Sequence, residues 1–134
     1  MRRDPSPLPL PPPKPFSASL EVFAEAGGMQ ALRTRSLVLT SYLAELITGD
    51  PGLASEVSII TPEDPAARGA QLSLVFRRPV KAVFAILQRE GVIVDIREPN
   101  AMRVAPAPLY CTAADCAEFA RALKAALVEV VTVA

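Results

Sequence analysis

Gln71-Leu72-Ser73-Leu74-Val75-Phe76 alternates polar and apolar positions, and it constrains the fold more than any other stretch. Successive side chains of a strand point to opposite faces, so such a segment buries one face and leaves the other wet. It cannot be stable alone, because it needs neighbouring strands and an apolar layer over its buried side. Three further segments can supply the neighbours. Val57 to Thr61 is short and β-branched, Val92 to Ile96 is a third strand, and Met102 to Ala105 is a fourth. Thr61-Pro62-Glu63-Asp64-Pro65, closed by Arg68-Gly69, is a turn-rich connector. Arg97-Glu98-Pro99-Asn100 joins the third strand to the fourth.

The cover comes from helical patterns. Ser17 or Ser19 can cap a helix carrying Leu20, Val22 and Phe23, which Gly27-Gly28 breaks. A second helix places Leu32, Leu39, Leu43, Leu46 and Ile47 on its apolar face, with Arg33 and Arg35 on the polar side, and stops at Thr48-Gly49-Asp50-Pro51-Gly52. Pro79 opens a third helix, where its missing N–H costs nothing. That helix turns Val83, Phe84, Ile86 and Leu87 inward and ends at Gly91. The last begins near Thr112 and presents Cys116, Phe119, Leu123, Leu127 and Val130 at spacings of three and four. Thr112 to Asp115 has the spacing of a capping box with Asp in place of Glu. The fold class expected is therefore α+β, a mixed or antiparallel four-stranded sheet covered by helices.

Seven of the first fifteen residues are proline, from Pro5 to Pro15, a composition that favours extended polyproline II over a packed core. Residues 1–16 are read as a disordered proline-rich leader and 17–134 as one folded domain. The leader is also the kind of segment that docks on SH3 or WW grooves, with Lys14 as a flanking charge. Fourteen basic residues balance fourteen acidic ones, which leaves no basic footprint for nucleic acid and no polybasic membrane patch. There is no histidine, so catalysis by a histidine base and most zinc sites are excluded for this chain alone. Cys111 and Cys116 cannot close a metal site unaided and read as free thiols of a reducing compartment. No apolar run reaches the roughly 18 residues needed to span a bilayer. These features describe a soluble, cytoplasmic protein.

Arg103 is the residue with the most chemistry. It interrupts a short apolar run, and an unpaired buried charge is costly. A carboxylate is the natural partner of a guanidinium, which offers it two parallel donors. Arg103 is therefore either half of an internal ion pair or a clamp for an acid-bearing ligand. Asp95 and Arg97 share one strand face and can pair. Arg68-Gly69 with Gln71 can face an active site or a subunit interface, or form a turn with a solvated arginine. Tyr110 can reach a ligand, though a tyrosine closing a strand is more often core, Arg77-Arg78 reads as a solvated strand end, and Glu63 with Asp64 as loop carboxylates that form no acid/base pair.

Taken together, several runs resemble the C-terminal part of kynureninase. They are Leu20-Glu21-Val22-Phe23-Ala24-Glu25-Ala26-Gly27, Leu32-Arg33-Thr34-Arg35-Ser36, Leu39-Thr40-Ser41-Tyr42-Leu43, Ile60-Thr61-Pro62, Arg68-Gly69-Ala70-Gln71-Leu72-Ser73-Leu74, Gly91-Val92, Asp95-Ile96-Arg97, Pro99-Asn100 and Arg103-Val104-Ala105-Pro106-Ala107-Pro108-Leu109-Tyr110. They follow in order from about Ser17 to Leu127. The resemblance implies the small domain of a fold type I (aspartate aminotransferase-like) enzyme that uses pyridoxal 5'-phosphate. The family hydrolyses kynurenine or 3-hydroxykynurenine to anthranilate or 3-hydroxyanthranilate plus alanine, in tryptophan catabolism and NAD biosynthesis, and works as a homodimer. It implies a kynurenine-type amino acid as substrate, and it places on Arg103 the arginine that grips the substrate α-carboxylate.

The departures bear on activity. The family's Schiff-base lysine belongs to the large domain, and Lys14, Lys81 and Lys124 do not match its motif. No catalytic, cofactor-binding or metal-binding residue is assigned to this chain, which is expected to bind no pyridoxal phosphate and to be inactive alone. Where the family has an Asn-x-Ser-Thr-Pro segment, this chain has Leu8-Pro9-Leu10-Pro11-Pro12-Pro13, and Cys111 stands where asparagine is usual. Two other readings remain. One is a non-catalytic short product that modulates the full-length enzyme, and the other is a proline-rich interaction module.

Overall fold

A computed structural model describes residues 14–133. The proline run from Pro5 to Pro13, the segment Leu8–Pro13 and the Lys14 side chain lie outside the described residues or side chains. Ten elements follow in order: α1 (Lys14–Glu25), α2 (Gly28–Gly49), α3 (Pro51–Ala54), β1 (Val57–Ile59), a 3-10 turn (Pro65–Ala67), β2 (Leu72–Phe76), α4 (Val80–Arg89), β3 (Asp95–Arg97), β4 (Ala101–Val104) and α5 (Ala113–Val133).

The alternation in β2 does what its period requires. Leu72, Leu74 and Phe76 are buried while Ser73 and Val75 are half-buried on the other face. The sheet has the order β1-β2-β4-β3, and every neighbouring pair is antiparallel, so the mixed alternative falls away. Register keeps apolar residues opposite one another: Val57 faces Phe76, Leu72 faces Val104, Leu74 faces Met102 and Ile96 faces Met102. A slip of one residue would turn this stripe to solvent, so burial of one face specifies the pairing. β2 and β3 run in the same direction, joined by α4, with β4 inserted between them. This is a split β-α-β unit.

The helices lie against the buried face. Leu39, Leu43 and Ile47 of α2, Val80, Val83 and Leu87 of α4, and Cys116, Phe119, Leu123 and Leu127 of α5 join the sheet's apolar stripe in one core. Leu46, Ile86 and Val130 are half-buried at its margin, Phe84 is half-buried outside it, and Val80 takes a central place instead. Leu20 and Val22 of α1 are exposed.

Element ends follow local chemistry. Gly27 and Gly28 adopt positive φ of 93° and 79°, which L side chains rarely tolerate, and this separates α1 from α2. The expected Ser17 or Ser19 cap is not the helix start. α1 begins at Lys14, and the Ser19 hydroxyl donates back to the Pro15 carbonyl at 3.1 Å from inside the helix. Asp50 ends α2 and caps α3, its Oδ1 accepting from the Gly52 and Leu53 amides at 2.8 and 3.2 Å. Its Oδ2 accepts from Lys124 Nζ of α5 at 2.7 Å. The Thr112–Asp115 capping box is reciprocal: the Thr112 amide donates to Asp115 Oδ2 at 2.7 Å and the Asp115 amide to Thr112 Oγ1 at 3.3 Å.

The third strand is shorter and later than expected. Residues 92–94 lie outside the ladder, and pairing starts at Asp95. β1 likewise ends at Ile59, two residues short of Thr61. The β3–β4 turn, whose Glu98–Pro99 peptide is cis, is fastened at the end of β2. The Phe76 amide donates to the Asn100 carbonyl at 2.8 Å, Asn100 Nδ2 donates to the Phe76 carbonyl at 3.0 Å, and the Val80 amide donates to the Pro99 carbonyl at 3.0 Å.

One arginine expectation is corrected here. Arg78 is not solvated: its Nε and Nη2 meet Glu56 Oε2 and Oε1 at 2.9 and 3.0 Å, because the β1–β2 register brings Glu56 beside the end of β2. Arg33 and Arg35 stay off the buried stripe of α2, as expected, and bond backbone carbonyls: Arg33 those of Pro65 and Arg68, Arg35 that of Cys111 at 3.2 Å.

Two expected outcomes test this account. Leu74→Ala, at the fully buried centre of the sheet, should destabilise the domain by about 2–5 kcal/mol in urea unfolding. The Asp50 carboxyl is held below its ordinary value of 3.8, first by the Lys124 hydrogen bond. That of Asp115 is held below it first by the Thr112 hydroxyl. In both, the folded value lies below the unfolded one, so the stabilisation is complete above the unfolded value and is lost as pH falls through the folded value. The urea midpoint should therefore be level above about pH 5 and fall below about pH 4. In Asp50→Asn with Asp115→Asn that acid-side fall should shrink.

Candidate functional site

Because Met102 and Val104 point into the core, Arg103 between them must stand on the opposite face of the sheet. Its register partners are Ser73 on β2 and Asp95 on β3, while Ala101 pairs with Val75 and Arg97. Ser73 and Ala101 are small, so the guanidinium is not crowded from those positions. Its side chain keeps 41% of its exposure.

Arg103 is ion-paired. Its Nε donates to Asp95 Oδ2 at 2.8 Å, and its Nη2 meets the same oxygen. Asp95 Oδ1 accepts from Arg97 Nη1 at 2.7 Å. The expected Asp95–Arg97 pair is thus present, but Asp95 also bridges to Arg103, a cross-strand partner that sequence spacing alone did not suggest. Arg103 Nη1 has no partner among the described residues. The Arg103 hydrogen bond is the main reason the Asp95 carboxyl sits below its ordinary value. Partial burial opposes it, and the charges of Arg103 and Arg97 add to it. The cluster holds two guanidinium groups against one carboxylate, so it carries a net positive charge suited to one more anion.

The other candidates lie elsewhere. Tyr110 is not a core residue; at 76% exposure it projects from the turn that precedes α5. It borders a cleft of about 570 Å³ formed with Val92, Ile93, Cys111 and Phe119. Both cysteines are free thiols, and burial pushes the Cys116 thiol up. Arg68 is half-buried, with Nη2 donating to Ser41 Oγ at 2.8 Å and Nη1 to the Glu63 carbonyl at 2.9 Å. It ties the β1–β2 loop to α2, and Gln71 Nε2 approaches Ser73 Oγ at 3.4 Å. The solvated-turn reading of Arg68 is therefore set aside. Asp64 Oδ1 caps the 3-10 turn by accepting from the Ala66 amide at 2.9 Å. Among the described residues, no group of three His, Cys, Asp or Glu is placed to hold a metal. No described helix is long and apolar enough to cross a membrane.

Comparison with known proteins agrees with this domain. Kynureninase 1 of Chaetomium globosum is 50% identical over 119 residues, covering 84% of this chain and 23% of the relative. Kynureninase 2 of Neurospora crassa is 52% identical over 114 residues, covering 84% and 24%. A kynureninase of Monosiga brevicollis is 44% identical over 112 residues, covering 81% and 24%. The chain thus spans about a quarter of the length of these curated relatives. Residues 32–123 match the family described as the kynureninase C-terminal domain, and they include α4, the whole sheet and most of α2 and α5. The chain belongs to the kynureninase family, as its C-terminal domain.

Proposed function

We propose that this domain serves a kynureninase by binding its amino acid substrate, with Arg103 holding the α-carboxylate of L-kynurenine or 3-hydroxykynurenine. The observation that carries the reading is the unclaimed Nη1 end of Arg103, set on the open sheet face in a cluster of net positive charge. A guanidinium presents two forks of donors. With the Nε side engaged by Asp95, the Nη1–Nη2 end is left to meet a carboxylate. Mounted on a strand and not on a loop, it fixes one end of the substrate and so orients the bonds that must break elsewhere.

Pyridoxal phosphate is the cofactor the family implies for the complete enzyme. When bound it supplies an electron sink for cleavage beside the amino acid's α-carbon. The described residues of this chain do not fit it. Lys81 Nζ lies 3.9 Å from Glu98, and Lys124 Nζ is bonded to Asp50 at 2.7 Å, both on exposed helix surfaces. No step through the cofactor is therefore assigned to these residues, and the isolated chain is proposed to be inactive. The complete protein is proposed to be a cytoplasmic homodimer that releases anthranilate or 3-hydroxyanthranilate and alanine.

The test is Arg103→Lys in a full-length kynureninase that carries this domain. Lysine keeps the charge but loses the fork, so kcat/KM for L-kynurenine should fall on the order of 10- to 100-fold. Affinity for a kynurenine analogue lacking the α-carboxylate should be unchanged. Equal kcat/KM in variant and parent would reject the role of Arg103.

A further inference from the structure

We propose that Asp95 is a positioning residue for substrate binding. It holds the Arg103 guanidinium in one orientation from the side, so that its far end is aimed before a carboxylate arrives. The proposal rests on the reading of Arg103 as the carboxylate clamp and adds a second residue to it.

Three observations support the assignment. The β3–β4 register sets Asp95 directly opposite Arg103, and Asp95 Oδ2 takes both Nε and Nη2, the side fork of the guanidinium. Asp95 Oδ1 is occupied by Arg97 Nη1 at 2.7 Å, so the carboxylate is itself held from a second direction. Arg103 Nη1 has no partner among the described residues, so the end fork stays open. A long side chain with several rotatable bonds would otherwise lose rotamer freedom on binding, and holding it beforehand removes that cost.

The same geometry argues against a role in attraction. Asp95 is negative, and a negative group beside the clamp weakens its pull on a carboxylate. Arg97 offsets that charge, and the three groups together remain net positive. What Asp95 adds is therefore orientation, and orientation is felt where the bound substrate must line up for reaction. Loss of Asp95 should thus appear in kcat more than in KM, because the added net positive charge still favours binding.

The experiment uses a full-length kynureninase carrying this domain, with Asp95→Ala, Asp95→Asn, Arg103→Lys and the Asp95→Ala/Arg103→Lys double variant, assayed with L-kynurenine. Asp95→Ala should lower kcat about 10-fold while KM changes less than about threefold. Asp95→Asn matches the shape and keeps an acceptor, so it should recover part of the loss. It also stands in if the alanine variant does not fold. In the Arg103→Lys background, Asp95→Ala should have little further effect, since its action passes through the guanidinium. A kcat within twofold of the parent in Asp95→Asn and Asp95→Ala would overturn the proposal. So would a loss of the same size in the Arg103→Lys background, which would mark Asp95 as a general structural residue. Failure of the clamp itself reads differently: Arg103→Lys alone would leave kcat/KM for L-kynurenine unchanged, and the role of Asp95 would fall with it.

Discussion

The pairing of β2 with β4 is the constraint on which the rest of the domain depends. Leu72 and Leu74 face Val104 and Met102, all four buried, and the stripe they make is the floor on which α2, α4 and α5 pack. Burying one face of a sheet fixes its register, and register fixes which side chains reach the other face. Arg103 is on the open side because its two neighbours are in the core. Its position is a consequence of the hydrophobic burial of its two chain neighbours, and no loop has to be ordered to present it.

The four aspartates among the described residues divide into two kinds. Asp50, Asp64 and Asp115 hold element ends, each accepting from backbone amides that a helix start leaves unpaired. Asp95 caps nothing. It faces two arginines across and along a hairpin, on the one sheet surface that the helices leave bare. Exposed ion pairs contribute little to stability, so the value of this arrangement lies in geometry more than in folding energy.

Much of this was legible in the sequence, and the reasons differ by residue. The α5 face from Cys116 to Leu127 and the β2 alternation show because a helix and a strand have fixed periods. The Thr112–Asp115 box shows because capping has a fixed spacing. The start of β3 is not legible in composition. Val92-Ile93-Val94 has strand-like composition, yet Ile93 is 97% exposed, and the ladder begins where the turn at Pro99 lets β3 meet β4. The Arg103–Asp95 and Arg78–Glu56 bonds are illegible in the sequence for a common reason. Each joins residues far apart in sequence that strand pairing brings side by side, and only the register says that they meet. The family resemblance pointed to Arg103, and of its two readings the structure shows the internal ion pair, on one edge of the guanidinium.

The turn between β3 and β4 is bound by three backbone and side-chain hydrogen bonds to Phe76 and Val80, at the junction of β2 and α4. The hairpin that carries both Asp95 and Arg103 is therefore locked to the sheet at its tip as well as along its length. A side chain mounted in this way cannot be swung toward a ligand by bending a local hinge. On the role proposed for Arg103, its backbone approaches a ligand only as the four strands and the helices packed on them move together.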